Sequence, residues 1–397
     1  MDFPNSYTDL NSQFLSEALG KTVEHFEVDH SMTAGGVLAD AYRVFNIQYK
    51  EGVEGPASLF VKSTKTIPEI VELCKATGVY AKEVYFYSHL NSKVAQVIRV
   101  PECFAIYTDS DDADCSQFCI VMEDFNSDEW MPFEQMTNPM NYSDMSDFMT
   151  VLAKLHGHFW GEPISSRAGL GAYRAHWQSL NDDFVDEEGT TAWHQLLPKW
   201  EAIYGQSLLL EVDGDVRRSI EQIAKILNSD GWPAIQEKIL LDLQTRPRTI
   251  THGDARGNNI FRSKIDNSIG FIDWQMWVAG PATNEFSQVW MNSFARDSDM
   301  VERLEELTQQ YYETLKQVRP DVQSEYPFAT FMTDIKLIFI NMWVQYIGFS
   351  LGSVDGYADP EQADAKENWR ILMKRNMETL HLSNALAALE SYIAIDH

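Results

Sequence analysis

The chain has little positive charge and few cysteines. Its 397 residues include 31 Lys and Arg against 59 Asp and Glu, which gives a formal net charge of −28 at pH 7. Because such a surface repels polyanions, we expect neither nucleic acid nor an anionic membrane as a partner. The four cysteines form no C-x-x-C pair, so a structural zinc site is not expected.

Long apolar runs are also lacking. No stretch reaches the ~18 uninterrupted apolar residues of a membrane span, and the nearest candidate, Leu337–Leu351, contains Asn341 and Gln345. The first residues, MDFPNSYTDLNSQFL, have no basic segment followed by an apolar one, so no secretion signal is predicted. We therefore expect a cytoplasmic protein, while its oligomeric state stays open.

Hydrophobic patterning changes near residue 124. Before that point β-rich and alternating runs predict strands, and a helical pattern with a break near Gly78 lies between Ile67 and Leu90. After it, apolar residues recur at helical spacing, apart from a β-rich island over residues 248–274. These patterns predict a bilobal α+β chain. We expect residues 1–123 to form a β-rich N-terminal lobe and residues 124–397 to form a larger helical lobe.

Two short runs carry the strongest chemical pattern. THGDARGNN (residues 251–259) places Asp254 five residues before Asn259, and FIDW (residues 271–274) places Asp273 at the end of an apolar strand. Phosphoryl transfer requires a base for the acceptor hydroxyl and oxygen ligands for Mg²⁺. A tight hairpin between the two runs would bring these groups together. The alternative is a polar surface turn with ordinary capping aspartates.

These runs resemble the aminoglycoside phosphotransferase and choline kinase-like group of small-molecule kinases, and most closely its ecdysteroid kinase-like branch. LFVKS, KEVYFYSHL, CIVMEDF and LAKLHGHFWG extend the resemblance over most of the chain, in the family's order. The resemblance implies a protein-kinase-like fold with an N-terminal nucleotide-binding lobe and a helical C-terminal lobe that carries the catalytic loop and the acceptor site. It also implies ATP- and Mg²⁺-dependent transfer of the γ-phosphate to a hydroxyl of a small-molecule alcohol.

The resemblance implies a role for each matched residue. Asp254 is the catalytic base, and Asn259 and Asp273 bind Mg²⁺. Lys62 contacts the α- and β-phosphates, and Glu83 holds this lysine. Without the resemblance, Lys62 is interpreted as a solvated lysine on an edge strand, and Glu83 as a surface acid of a helix.

Three further parts of the nucleotide site follow from the same resemblance. Arg256 is predicted either to neutralise charge on the transferring phosphate or to pair with a neighbouring carboxylate. Gly35 and Gly36 are the candidate phosphate-covering loop. Glu123 and Asp124 belong to the hinge whose backbone groups hold the adenine.

The chain departs from the family pattern at two places. Asp40 follows the glycines where a small hydroxyl residue is usual, and it would be a poor neighbour for phosphates. Asn284 or Glu285 stands where the family often has a structural aspartate. Because the catalytic set is intact, the alternative of a nucleotide-binding pseudokinase or scaffold without turnover is less favoured. Nucleotidyl transfer on the same scaffold is a third possibility.

The acceptor alcohol is not determined by the sequence. Trp274 and Trp277 follow the metal-binding aspartate, and tryptophans near acidic residues can enclose a quaternary ammonium. Packing in the core is the favoured interpretation for both, and a bulky apolar alcohol is an equally compatible acceptor. His252 and His156 are expected to pack and to orient their neighbours, without acting as an acid or a base.

Overall fold

The computed structural model describes residues 4, 6–29, 38–110, 114–125, 127–134, 137–164, 170–171, 206–293, 299–354 and 363–394. The predicted phosphate-covering glycines, Gly35 and Gly36, lie outside these ranges.

The chain divides into two compact units. Unit 1 comprises Met1–Phe133, Pro163–Ala172 and His252–Ala279, and unit 2 comprises Glu134–Glu162, Tyr173–Thr251 and Gly280–His397. This division by packing differs from the predicted division at residue 123. Residues 252–279 group with the N-terminal residues, because residues 260–263 pair with residues 130–132 and the turn Trp274–Met276 contacts the helix Val79–Tyr85.

Unit 1 contains two antiparallel sheets. The strands are β1 (Val23–Asp29), β2 (Ala39–Tyr49), β3 (Leu59–Thr64), β4 (Cys103–Thr108), β5 (Phe118–Glu123), β6 (Trp130–Pro132), β8 (Ile260–Ser263) and β9 (Ile269–Phe271). The five-stranded sheet has the order β1-β2-β3-β5-β4, and the three-stranded sheet has the order β6-β8-β9. Strand β3 is therefore central in the larger sheet.

One face of the five-stranded sheet packs beneath the first helix. The helices of unit 1 are α1 (Ser12–Leu19), α2 (Pro68–Thr77), α3 (Val79–Tyr85) and α4 (Asn91–Val94). Leu15 of α1 lies in one buried cluster with Val44, Leu59, Val61 and Val121. Because side chains alternate along a strand, residues next to these in sequence, including Lys62, point to the opposite face.

The helix that carries Glu83 begins at the predicted break. Gly78, at φ 68°, ends α2 and precedes α3, a left-handed conformation that glycine adopts without a steric penalty. After α3 the backbone forms a π-helical turn, Phe86–Leu90, before it continues as α4. Such turns are rare and frequently lie at functional sites.

Unit 2 is mainly helical. Its helices are α5 (Tyr142–His158), α6 (Gln206–Glu211), α7 (Gly214–Leu227), α8 (Trp232–Gln244), α9 (Asn284–Asn292), α10 (Leu304–Val318), α11 (Val322–Glu325), α12 (Phe328–Val354), α13 (Ala363–Leu382) and α14 (Ala385–Ala394). Two short strands complete the chain, β7 (Arg248–Thr251) and β10 (Val278–Pro281). Over the described ranges, no helix has the length and apolar character needed to cross a membrane. The predicted α+β class is confirmed.

Candidate active site

The centre of the site is a buried ammonium between two carboxylates. Lys62 Nζ on β3 lies 2.7 Å from Glu83 Oε1 on α3 and 2.7 Å from Asp273 Oδ1, which follows β9. Glu83 is fully buried, and β3 pairs with a strand on each side. The interpretations of Lys62 as an edge-strand lysine and of Glu83 as a surface acid are therefore wrong. The predicted Lys62–Glu83 contact is present, and the Asp273 contact adds a third member.

Burial and ion pairing shift the pKa values of these three groups in opposite directions. Burial lowers the pKa of Lys62, but the two carboxylates outweigh it and hold that pKa above its usual value. Burial raises the pKa of Glu83 in spite of Lys62. Burial also raises the pKa of Asp273, but the attraction of Lys62 is stronger, so the pKa of Asp273 is lowered overall. Asp273 is therefore the group of this set most firmly held as a carboxylate.

Asp273 has an unusual backbone conformation. Its φ of 63° and ψ of 60° are left-handed values that non-glycine residues rarely adopt. Such strain persists where surrounding contacts determine the conformation, and it is concentrated at functional sites. Here Lys62 holds one carboxylate oxygen, and Gln275 Nε2 donates to the other, Oδ2, at 3.2 Å.

The predicted catalytic loop joins Asp254 to Asn259. Asn259 Nδ2 donates to the backbone oxygen of Asp254 and to its Oδ2, both at 2.9 Å. Arg256 Nε lies 3.3 Å from the same Oδ2, and the Arg256 side chain is 44% exposed. The predicted pairing of Arg256 with a neighbouring carboxylate is thus present. Burial raises the pKa of Asp254 to about 6, although Arg256 opposes this shift.

A glycine brings this loop against the turn that follows Asp273. Gly253 has φ 81°, and a Cβ atom at this position would lie 2.2 Å from the backbone oxygen of Met276. Only glycine permits both the left-handed conformation and this close approach. The H-G-D sequence therefore sets the distance between the loop and the turn Trp274–Met276.

His252 fixes the loop, as predicted. Its Nε2 lies 2.7 Å from the backbone oxygen of Ile272, and its Nδ1 accepts from the backbone N–H of Asp254 at 3.2 Å. These partners assign a neutral ring that donates through Nε2. Burial lowers the pKa of His252 to about 4, which also keeps the ring neutral.

Both tryptophans after Asp273 belong to the core. Trp274 stacks on Phe86 with ring centroids 4.2 Å apart, and its ring contacts the tilted ring of His252 at 4.6 Å. Trp277 is fully buried, and its indole N–H donates to the backbone oxygen of Lys82 at 2.7 Å. The favoured prediction of core packing is confirmed for both residues. Their rings attach helix α3 to the turn after Asp273.

The hinge carboxylates have partners within the protein. Asp124 Oδ2 accepts from Arg43 Nε on β2 at 2.7 Å, and the Glu123 carboxylate pairs with the Arg99 guanidinium. The backbone oxygen of Arg99 also accepts from the N–H of Phe271, two residues before Asp273. Sequence reasoning identified neither arginine. The acids shape the hinge, and their role in nucleotide binding stays a prediction.

Asp40 does not face the lysine of the site. It pairs in register with Ser63 on β3, whereas Lys62 pairs with Ala41, so strand alternation turns Asp40 to the other face. There its Oδ1 lies 2.7 Å from Lys65 Nζ. Lys65 thus neutralises Asp40, and the relation of Asp40 to the phosphates stays a prediction. The register between β2 and β3 determines the face on which Asp40 lies, and the local sequence pattern does not predict this register.

The donor groups of the site fit a hard divalent cation. Because Asn259 Nδ2 is engaged with Asp254, its Oδ1 is the amide atom left for a metal, and the backbone oxygen of Asn259 accepts from the N–H of Ile272, the residue before Asp273, at 3.0 Å. Across the described ranges no three His, Cys, Asp or Glu side chains form a metal-binding group. A two-ligand protein site suits Mg²⁺, which retains waters and also binds substrate phosphates.

The fold and the site together define a kinase-like protein. Its N-terminal antiparallel sheet carries a strand lysine held by a helix glutamate, and a catalytic loop and a strand-end aspartate follow in the same unit. A model of the ecdysteroid kinase-like family matches residues 38–324. The chain belongs to the ecdysteroid kinase-like family, and the resemblance predicted from the sequence is confirmed.

Solved structures show more distant similarity. An ethanolamine kinase from Plasmodium vivax is 12% identical over 89% of this chain and 82% of its own, with a TM-score of 0.44. A choline kinase from Streptococcus pneumoniae is 11% identical over 93% and 98%, with a TM-score of 0.41. A thermostable mutant of an aminoglycoside phosphotransferase is 14% identical over 97% and 99%, with a TM-score of 0.38. Among curated protein sequences, no significant match is found.

Proposed function

We propose that this protein is an ATP- and Mg²⁺-dependent kinase that transfers the γ-phosphate to a hydroxyl of a small-molecule alcohol. The observation that carries the proposal is the contact of Lys62 with both Glu83 and Asp273, at 2.7 Å each. Such a lysine is already oriented, so binding of the phosphates does not have to order a flexible side chain.

Asp254 accepts the proton of the acceptor hydroxyl in this mechanism. The hydroxyl oxygen forms a bond to the γ-phosphorus, the bond from that phosphorus to the bridging oxygen breaks, and ADP leaves. Asn259 orients the base through its bond to Asp254 Oδ2. Arg256, on the exposed side of the same carboxylate, neutralises charge on the transferring phosphoryl group.

Asn259 Oδ1 and the Asp273 carboxylate are the groups that would hold Mg²⁺. The ion supplies neutralisation of the phosphate oxygens as charge develops on them. Lys62 binds the α- and β-phosphates, and the hinge backbone at residues 122–124 binds the adenine. As predicted from the sequence, we place this reaction in the cytoplasm, without a nucleic-acid or membrane partner.

The second candidate is a pseudokinase that binds nucleotide without turnover. It would retain the triad of Lys62, Glu83 and Asp273 but would not require a positioned base. The bond of Asn259 to Asp254 therefore favours the enzyme, because it orients a carboxylate that nucleotide binding alone does not use.

A substrate screen tests the proposal. The purified protein is incubated with Mg·ATP and panels of amino alcohols, sterols and sugars, and ADP release is measured beside Asp254→Asn. Release that requires both an alcohol and Asp254 supports the kinase. Binding of Mg·ATP without acceptor-dependent release supports the pseudokinase. A protein that binds no Mg·ATP is neither.

A further inference from the structure

Gln275 contacts the carboxylate that the proposed function assigns to the metal. It lies in the turn Trp274–Met276, directly after Asp273. Its Nε2 donates to Asp273 Oδ2 at 3.2 Å, while Asp273 Oδ1 is held by Lys62. Gln275 therefore adjoins the carboxylate oxygen that Lys62 does not occupy.

The orientation of the Gln275 amide is determined by its partner. A carboxylate oxygen is only an acceptor, so the amide must present its NH₂ group to Asp273. The carbonyl oxygen, Oε1, is then left to find a donor other than Asp273. Oε1 is buried and has no hydrogen-bond partner within the part of the chain that the structure describes.

A buried amide oxygen without a partner is uncommon in folded proteins and requires an explanation. Next to Asp273, the fitting donor is a water molecule bound to a divalent cation. Mg²⁺ retains several waters when it binds one or two protein oxygens, and every such water donates two hydrogen bonds. Oε1 is a neutral acceptor on the side chain that already contacts Asp273 Oδ2.

We propose that Gln275 is a positioning residue for the metal. Its NH₂ group fixes the free oxygen of Asp273, and its carbonyl oxygen accepts a hydrogen bond from a metal-bound water. The inference rests on the proposed function, because it uses the metal role of Asp273. It adds a residue that acts on the affinity and the placement of the cation and does not touch the transferred phosphate.

Metal affinity provides the test, with Mn²⁺ as the probe because its free form is measured directly by electron paramagnetic resonance. The full chain is titrated with Mn²⁺ in the presence of a non-hydrolysable ATP analogue. Gln275→Met keeps the side-chain length but removes both polar ends. Gln275→Asn keeps the amide but is too short to reach both partners. Gln96→Met is the matched control, since Gln96 is an exposed glutamine of the same unit.

We expect Gln275→Met to weaken Mn²⁺ binding about 10-fold, the usual effect of removing a group that orients a metal ligand. The Mn²⁺ affinity of Gln275→Asn should lie between those of Gln275→Met and the wild type. The Mn²⁺ affinity of Gln96→Met should equal that of the wild type. Affinity for the analogue without metal and the melting temperature should change little. A purely structural role would instead lower the melting temperature and leave the Mn²⁺ affinity of the folded fraction unchanged.

The results separate this inference from the proposed function. Wild-type Mn²⁺ affinity in Gln275→Met overturns the inference alone, and so does an equal loss in Gln96→Met. If Gln275→Met does not fold, wild-type affinity in Gln275→Asn has the same meaning. A wild-type protein that binds no Mn²⁺ with the analogue overturns the kinase proposal and the inference together. Metal binding without phosphorylation of any acceptor contradicts only the proposed enzymatic activity.

Discussion

Lys62 Nζ lies as close to Asp273 Oδ1 as to Glu83 Oε1, at 2.7 Å from each. One ammonium thus connects the central strand, helix α3 and the strained turn of the candidate metal site. The ammonium faces both carboxylates, and its attraction lowers the pKa of Asp273, so Asp273 keeps its negative charge. In the proposed function Asp273 would hold the cation and Lys62 would contact the α- and β-phosphates.

The first prediction concerns the coupling of Lys62 and Glu83. Lys62→Met should cost most of kcat/KM for ATP, and Glu83→Gln should cost less, because Asp273 still holds the lysine. Adding Glu83→Gln to Lys62→Met should then cost almost nothing more, since residues that act as a unit are not additive. A double-mutant cycle on kcat/KM measures the coupling, with unfolding checked separately.

Lys65→Met is the control for this cycle. Lys65 follows the same strand and is also paired with an aspartate, Asp40, but on the other face of the sheet. The Lys65→Met substitution should leave KM for ATP unchanged. Additive losses for Lys62→Met and Glu83→Gln would show that the two residues do not act together on the nucleotide.

The two ends of the Lys62–Glu83 contact could be predicted because each lies in a motif with a family pattern. The Lys62–Asp273 contact joins residues 211 positions apart, and no local periodicity encodes it. The face of the sheet on which the Asp40 side chain lies depends on the strand register, which pairs Asp40 with Ser63. Gln275 had no indication beyond its place two residues after Asp273. Contacts of this kind arise from tertiary packing, so sequence reasoning could not identify them.

The second prediction concerns the base. Asp254→Asn removes the proton acceptor but keeps the shape of the side chain and a partner for Asn259. We expect kcat to fall by ~10²–10⁴-fold, the usual contribution of general-base catalysis, with little change in nucleotide affinity. Steady-state kinetics with the identified alcohol and calorimetry with Mg·ATP measure the two quantities. Asp266→Asn, at an exposed site between β8 and β9, is the control. Near wild-type turnover in Asp254→Asn would exclude Asp254 as the base.

The third prediction ranks the two metal ligands. Asp273→Ala should weaken Mg·ATP binding more than Asn259→Ala, because a carboxylate presents a full charge to the cation and an amide presents only a dipole. Titration of Mg·ATP against both variants measures the order. Asn258→Ala is the control, since Asn258 is exposed and precedes Asn259 directly. Equal losses, or a larger loss for Asn259→Ala, contradict the assignment.

The last prediction concerns stability in acid and uses a histidine in unit 2. His156 on α5 is fully buried, and its Nδ1 lies 2.6 Å from the hydroxyl oxygen of Tyr311 on α10. Burial lowers the pKa of His156 to about 3, whereas an unfolded histidine has a pKa of ~6.5. Below pH 6.5 the unfolded chain takes up a proton that the folded chain does not bind, so the free energy of unfolding falls as the pH falls. Between pH 7 and pH 5 the protonation of this single group in the unfolded chain should lower the free energy of unfolding by about 2 kcal/mol.

Urea unfolding of the wild type, His156→Gln and His158→Gln at both pH values measures the effect. His156→Gln should lose about 2 kcal/mol less than the wild type over this interval. His158→Gln, at an exposed position of the same helix, should follow the wild type. An unchanged pH dependence in His156→Gln would show that His156 is not held neutral in the folded protein.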